Sequence, residues 1–182
     1  LDQFLASVEQ RAYRMAVIAT GNRDDALDIV QDAMLNLAQK YAGREATEWG
    51  PLFHRIVQNT IMDWHRRQKV RNTWSAFLGA VGIGKTIDGV DNARGMANLD
   101  DCTALEDNNP ALKLINDRTI EALDAALNRL PLRQQQAFLL RIWEGLSVAQ
   151  TAAAMKCSQG SVKTHLSRAL SSLRDRLEDH RL

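Results

Sequence analysis

The sequence predicts an all-α protein: two small helical domains joined by a long flexible linker. Three observations lead there. Apolar residues recur every three or four positions in two stretches, 1–71 and 117–182. Between them, over 72–116, the periodicity fades and Gly, Asp and Asn become frequent. No convincing strand pattern appears anywhere. A chain of 182 residues can bury one sizeable core or two small ones, so this organisation decides between them. Hydrophobic residues at 45% and charged residues at 25% are ordinary globular values, so neither disorder nor a fibrous protein is favoured for the whole chain.

The first helix carries Phe4, Leu5, Val8, Ala12, Met15 and Ala16 on one side, and Gly21-Asn22 punctuates its end. Asp24 or Asp25 can start a second helix with the stripe Ile29, Val30, Ala33 and Leu37; Asp28, Gln31, Asp32 and Asn36 lie on the polar side. Residues 43–50 read as a loop. Pro51 then suits the first position of a third helix running to about Arg71, with Phe53, Ile56, Val57, Ile61 and Trp64 as its stripe. After the linker, Asp117 is a plausible N-cap for Ile120, Leu123, Leu127 and Leu130, and Pro131 opens a helix that Gly145 ends. Ser147-Val148-Ala149-Gln150 has the form of a capping box, in which serine and glutamine each satisfy a backbone donor at a helix start. Ser158 can cap a last long helix, with Val162, Leu166, Ala169, Leu170, Leu173 and Leu177 on one side.

A net charge of +1 taken alone argues against a nucleic-acid binder. The distribution argues otherwise. Arg66, Arg67, Lys69 and Arg71 form one basic cluster and residues 156–176 another, with Asp88, Asp91, Asp100, Asp101, Glu106 and Asp107 between them. A short capped helix, a turn of a few residues and a longer basic helix form a helix-turn-helix, whose second helix enters the major groove. With the apolar side inward, Lys163, Thr164, Ser167, Arg168 and Ser171 share the open face and His165 sits at its edge. Lys and Arg there can donate to guanine or phosphate, and Thr and Ser both donate and accept. The competing reading is an amphipathic surface helix in a bundle.

Four histidines and two cysteines, Cys102 and Cys157, form neither a metal-binding spacing nor a disulfide framework, and no nucleophile-base arrangement stands out; no metal, cofactor or catalytic residue is expected. A soluble protein of the reducing cytoplasm fits best, since the longest apolar runs, 15–19 and 148–155, fall short of a bilayer span and no signal peptide is evident. The run G-A-V-G-I-G-K-T at 79–86 satisfies the P-loop pattern. No strand delivers it and Asp88-Gly89 interrupts any following helix, so nucleotide binding is not expected.

Residues 160–169, G-S-V-K-T-H-L-S-R-A, resemble the G-T-V-K-S-R-L-x-R-A run of region 4 in sigma-70 family factors of the extracytoplasmic-function (ECF) group. L-P-L-R-Q-Q-Q-A-F at 130–138 resembles that region's L-P-x-x-x-R-x-x-F/L opening. Near the other end, D-A-L-D-I-V-Q-D-A at 25–33 is similar to the D-A-E-D-L-V-Q-E-T segment of region 2, and 53–64 to its L-Y-R-I-A-R-N-L-A-I-D-L stretch. Lys156 departs from a common turn glycine, Thr151 from a branched apolar residue, Leu27 from an acidic one and Met34 from an aromatic one. Cys157 falls at an apolar turn position and reads as core filler rather than a redox sensor.

The resemblance implies a sigma factor that performs no catalysis, with region 2 in 1–71, a linker in 72–116 and region 4 in 117–182. It implies that Asp28, Gln31, Asp32 and Asn36 dock on the clamp helices of core RNA polymerase, whose flap meets region 4. The downstream (−10) element would be read by a pocket between Gly43, Arg44 and Glu45 of the loop and Asn59 of the helix that captures a flipped-out base, with Arg66, Arg67 and Arg71 on phosphates. The upstream (−35) element would meet Lys163, Thr164, His165, Ser167 and Arg168. An anti-sigma protein, often membrane-bound, is a further implied partner, and no small-molecule substrate is. The alternative is a stand-alone dimeric helix-turn-helix regulator, which would bind a palindromic operator without polymerase.

Overall fold

The computed structural model describes residues 1–80 and 120–178, and among them there are helices and turns but no strand. Helix α1 (Asp2–Thr20) stops where Gly21 takes a left-handed φ of 69° and its N–H closes on the Val17 carbonyl at 2.8 Å. Without a Cβ that conformation carries little penalty. Asn22, rather than Asp24 or Asp25, caps α2 (Arg23–Tyr41): its side-chain oxygen accepts the Asp24 and Asp25 amides at 2.8 and 3.1 Å. The two aspartates remain in the first turn, where the helix dipole favours them.

Helix α3 departs most from expectation, running Ala46–Ala80. Pro51 lies within it instead of opening it. The helix continues through the proline, which forfeits one backbone bond, and Gly50 before it offers no Cβ to the ring. Only 42–45 remain between α2 and α3, in place of a loop over 43–50. Residues 72–80, assigned to the linker, are also helical. The rest of that linker, Cys102, Asp117, His180 and residues 81–86 of the P-loop-like run lie outside the described residues.

The three helices pack on one another, and the stripes close the core: Met15 and Ala16 of α1, Ile29, Val30, Ala33 and Leu37 of α2, and Phe53, Val57 and Ile61 of α3 are buried. Phe53 meets Phe4 edge-on, with ring centroids 6.1 Å apart. Trp49 and Trp64 pack partly buried against this core.

In the C-terminal half, α4 (residues 120–128) leads to α5 (Leu132–Phe138), which begins directly after Pro131. It continues as a π-helical turn, Leu139–Trp143, in which the Glu144 amide reaches back five residues to Leu139 at 2.9 Å. The capping box is present in full: Gln150 N–H to Ser147 Oγ at 3.2 Å, and Ser147 N–H to Gln150 Oε1 at 2.8 Å. It starts α6 (Val148–Met155). Lys156 then turns left-handed at φ 52°, and Ser158 Oγ accepts the Ser161 amide at 3.1 Å in the first turn of α7 (Gln159–Glu178). Val162, Ala169 and Leu173 of α7 are buried, while Leu170, expected beside them, is 41% exposed. The two halves are not held apart: α6 packs against α3, and the buried apolar residues of both form one continuous cluster.

Two departures from the family pattern have a physical cost here. The left-handed backbone at Lys156 strains a residue with a Cβ by about 1 kcal/mol. Thr151 is fully buried with its hydroxyl unpartnered, which costs about 1 kcal/mol or more. Lys156→Gly and Thr151→Val are each expected to raise unfolding stability by about 1 kcal/mol, read as a higher urea midpoint at unchanged slope.

Candidate nucleic-acid interface

The outward face of α7 is open. Lys163, Ser167, Arg168 and Ser171 are exposed and His165 is half-buried, because Val162, Ala169 and Leu173 take the inward positions of the same turns. Thr164 is exposed but its hydroxyl donates to the Gly160 carbonyl at 3.0 Å, leaving mainly the methyl and an acceptor lone pair facing outward. Four of the five expected upstream-element residues thus lie on one solvent-facing surface of the second helix of the helix-turn-helix, with His165 at its margin.

The N-terminal half brings together residues expected to do different things. A groove of about 290 Å³ between α2 and α3 is lined by Asp25, Asp28 and Asp32 on one side and Thr60, Trp64, Arg67 and Arg71 on the other. Candidate polymerase contacts and candidate phosphate contacts therefore share one rim. Arg66 pairs with Asp63 at 3.1 Å and Arg71 donates to Gln68, so these guanidinium groups lie along α3 with their outer faces exposed. Asn36 spends its amide on the Asp32 carbonyl at 3.1 Å, whereas Asp28, Gln31 and Asp32 are exposed.

Arg44 and Glu45 are exposed in the α2–α3 turn, and Asn59 is half-buried on α3. Thirteen residues of helix separate Ala46 from Asn59, which at about 1.5 Å per residue places the turn roughly 20 Å from Asn59. No single base spans that distance, so the expected common pocket between the turn and Asn59 is not formed. Sequence reasoning also missed Leu27 and Leu35, which are 46% and 57% exposed and flank Gln31 one turn away on either side. A wheel drawn around Gln31 would have placed them there.

Beside the apolar cluster that the halves share, polar groups of the two also meet. Gln136 of α5 donates to Gln58 Oε1 of α3 at 2.8 Å, and Gln135 donates to the Ile18 carbonyl of α1 at 3.1 Å; all three glutamines are buried. Arg14 meets Asp124 at 3.4 Å, and its guanidinium sits 4.9 Å from the centre of the Trp143 ring. Arg11 donates to the Trp143 carbonyl and approaches Glu144 at 3.5 Å, while His54 Nε2 approaches the other Glu144 oxygen at 3.4 Å. Burial, helped by Arg11, lowers the His54 pKa to about 4, so the ring is neutral near pH 7 and faces the carboxylate as a dipole. Burial raises the carboxyl groups of Asp124 and Glu144 despite their arginine partners. Among the described residues no cluster of His, Cys, Asp and Glu fits a metal ion.

Comparison with known proteins fits this geometry. The sigma-70 region 4 profile matches residues 120–173, from α4 to the outward face of α7. The chain is 30% identical over 157 residues to the RNA polymerase sigma-E factor of Streptomyces coelicolor, covering 84% of this chain and 72% of that protein. The chain belongs to the ECF group of sigma-70 family factors. It is also 29% identical over 174 residues to the ECF RNA polymerase sigma factor SigM of Mycobacterium tuberculosis, covering 94% of this chain and 74% of that one. SigE of Mycolicibacterium smegmatis is 26% identical over 179 residues; the match covers 98% of this chain but 62% of that protein. The fold matches that of the sigma factor RpoE from Bartonella quintana, solved in complex with the anti-sigma factor NepR, at a TM-score of 0.62 and 22% identity over 99% of this chain and 98% of that one. Sigma factors of this family are transcription initiation factors. No described helix is long and apolar enough to cross a membrane.

The buried imidazole sets a pH dependence for the seam. Its folded pKa lies below the unfolded value, so its penalty is absent above about pH 6.5 and grows as pH falls toward 4, because only the unfolded chain takes the proton readily. Between pH 7 and 5 this amounts to about 2 kcal/mol. The raised carboxyls of Asp124 and Glu144 act in the opposite sense, since the folded chain takes their protons first. Urea unfolding at the two pH values is expected to show wild type losing more stability than His54→Gln, and equal losses would remove His54 as the cause.

Proposed function

We propose that this ECF sigma factor binds core RNA polymerase in the cytoplasm, directs it to promoters built of a −10 and a −35 element and assists their melting, without catalysing a reaction itself. The observation that carries the reading is the helix-turn-helix of α6 and α7, with a basic, solvent-facing recognition surface inside the segment matched by sigma region 4. Residues 1–71 act as region 2, 72–116 as a linker whose first part extends α3, and 117–182 as region 4.

In this scheme Asp28, Gln31 and Asp32 meet basic and amide groups on the polymerase clamp helices. Leu27 and Leu35 supply apolar contact on either side, and Asn36 braces the helix more than it touches the partner. Region 4 also meets the polymerase flap. Once strands separate, the melted strand follows α3: Arg44 and Glu45 engage it at one station and Asn59 at the next. Arg66, Arg67 and Arg71 neutralise phosphates beyond, where a flipped base gains from stacking and edge hydrogen bonds. Lys163, Ser167 and Arg168 reach base edges or phosphates of the upstream duplex, supported by Thr164 and His165. A net charge of +1 suits a protein whose DNA affinity comes from two tethered modules and polymerase together. An anti-sigma protein, membrane-anchored in many members of the group, is the expected regulator; the Bartonella quintana sigma factor of the same fold was solved with one.

Run-off transcription with purified core enzyme over a panel of genome-selected promoters tests the reading. Transcripts that require both the chain and the core enzyme are expected, and their absence with active core would overturn it. Lys163→Ala or Arg168→Ala should weaken upstream-element recognition by about 1 to 3 kcal/mol if that side chain makes a bidentate base contact. Unchanged promoter preference would reassign it to the scaffold.

A further inference from the structure

We infer that Gln159, in the opening turn of α7, is a specificity-determining residue for the upstream element: its carboxamide reads one adenine through a paired donor and acceptor contact, close to the base that Lys163 meets. The inference rests on the promoter-directing reading above and adds to it a base contact outside the residues so far assigned.

The first ground is where the polar groups at the start of α7 are spent. Ser158 and Ser161 share a hydrogen bond between their hydroxyls at 2.9 Å, and Ser158 Oγ also accepts the Ser161 amide at 3.1 Å. Thr164 donates to the Gly160 carbonyl at 3.0 Å. Gln159 and Lys163 are exposed and one helical turn apart, and among the described residues neither side chain has a hydrogen-bond partner or an ion pair. Of the polar side chains in 158–164, these two keep every hydrogen-bonding atom free. A recognition helix enters the major groove with its first residues nearest the base edges, which is where Gln159 stands.

The second ground is room. Gly160 lies within the helix, where glycine is a weaker choice than alanine, and packing does not demand it: a Cβ there would meet only Ser158 Oγ, at 3.7 Å. The missing side chain leaves the opening turn bare beside Gln159, and bare backbone admits a close neighbour. The third ground is the match of hydrogen-bonding groups. A carboxamide offers an acceptor oxygen and an NH2 donor, and adenine presents the acceptor N7 and the donor N6 in the major groove, so both pair. Guanine presents two acceptors there, which leaves the amide oxygen facing another acceptor; cytosine and thymine each satisfy one group alone. An unmatched polar group shut off from water carries a penalty, which turns the match into discrimination. Four residues of helix rise about 6 Å and base pairs repeat about every 3.4 Å, so the adenine falls within about two pairs of the base met by Lys163.

The test uses the full chain with core polymerase on a promoter library randomised across the upstream element, and the transcribed sequences are counted. Wild type is expected to enrich adenine at one position. Gln159→Ala should lower that enrichment by about ten-fold and leave the preferences at other positions as they are. Gln159→Glu, which keeps the length but only accepts, should move the preference at the same position to cytosine. A glutamate in the first turn suits the helix dipole, so this variant does not put α7 at risk. Lys163→Ala should flatten a different position, within about two base pairs. A wild type that enriches no adenine, an adenine preference that both Gln159 variants leave unmoved, or a loss spread evenly over every position would each overturn the assignment. The last of these is the mark of a phosphate or scaffold role. Absence of wild-type transcripts with active core would instead overturn the polymerase reading; the same library, selected by binding to the chain alone, would then decide Gln159 by the same criteria.

Discussion

Helix α3 is shared between two packings that make different demands on it. Phe53, Val57 and Ile61 fill the apolar interior against α1 and α2, while His54 and Gln58, each a single position further round, point at the other half of the molecule. One helix can satisfy both only if its apolar stripe is narrow, which is why two polar residues stand buried beside it. Gln58 is held on both sides: its amide nitrogen meets the Met15 sulfur at 2.9 Å and its oxygen accepts Gln136. The pair lies beside the apolar cluster that both halves share, so each glutamine depends on the other for a partner that water cannot supply there.

Local features of the fold were legible from the residues because each follows from neighbours in the chain. The Gly21 stop, the Ser147-Gln150 box, the Ser158 cap, the stripe of α2 and, apart from the exposed Leu170, that of α7 appear where the spacing places them. Interior Pro51 misled because proline usually marks the first turn, and Gly50 before it eases only the side-chain part of the conflict with the ring. The long-range polar interactions were not legible at all: Gln58, Gln135 and Gln136 look like ordinary solvated glutamines, and only the meeting of chain segments more than seventy residues apart makes them buried partners. Of the candidate contact residues, those on the outer face of α7 were easiest to place, since a single helical wheel fixes them. Asn59 and the Arg44-Glu45 turn were harder, because their separation depends on where α3 begins.

The π-helical turn at Leu139–Trp143 bears on how this arrangement can vary among relatives. A helix wound with one surplus residue rotates everything after it by about 100° relative to an ordinary α-helix. That rotation aims Trp143 and Glu144 at Arg11, Arg14 and His54. A one-residue deletion in this stretch would swing both side chains to another compass bearing without altering either residue's identity, so chain length at this point is itself a heritable control over which surfaces meet.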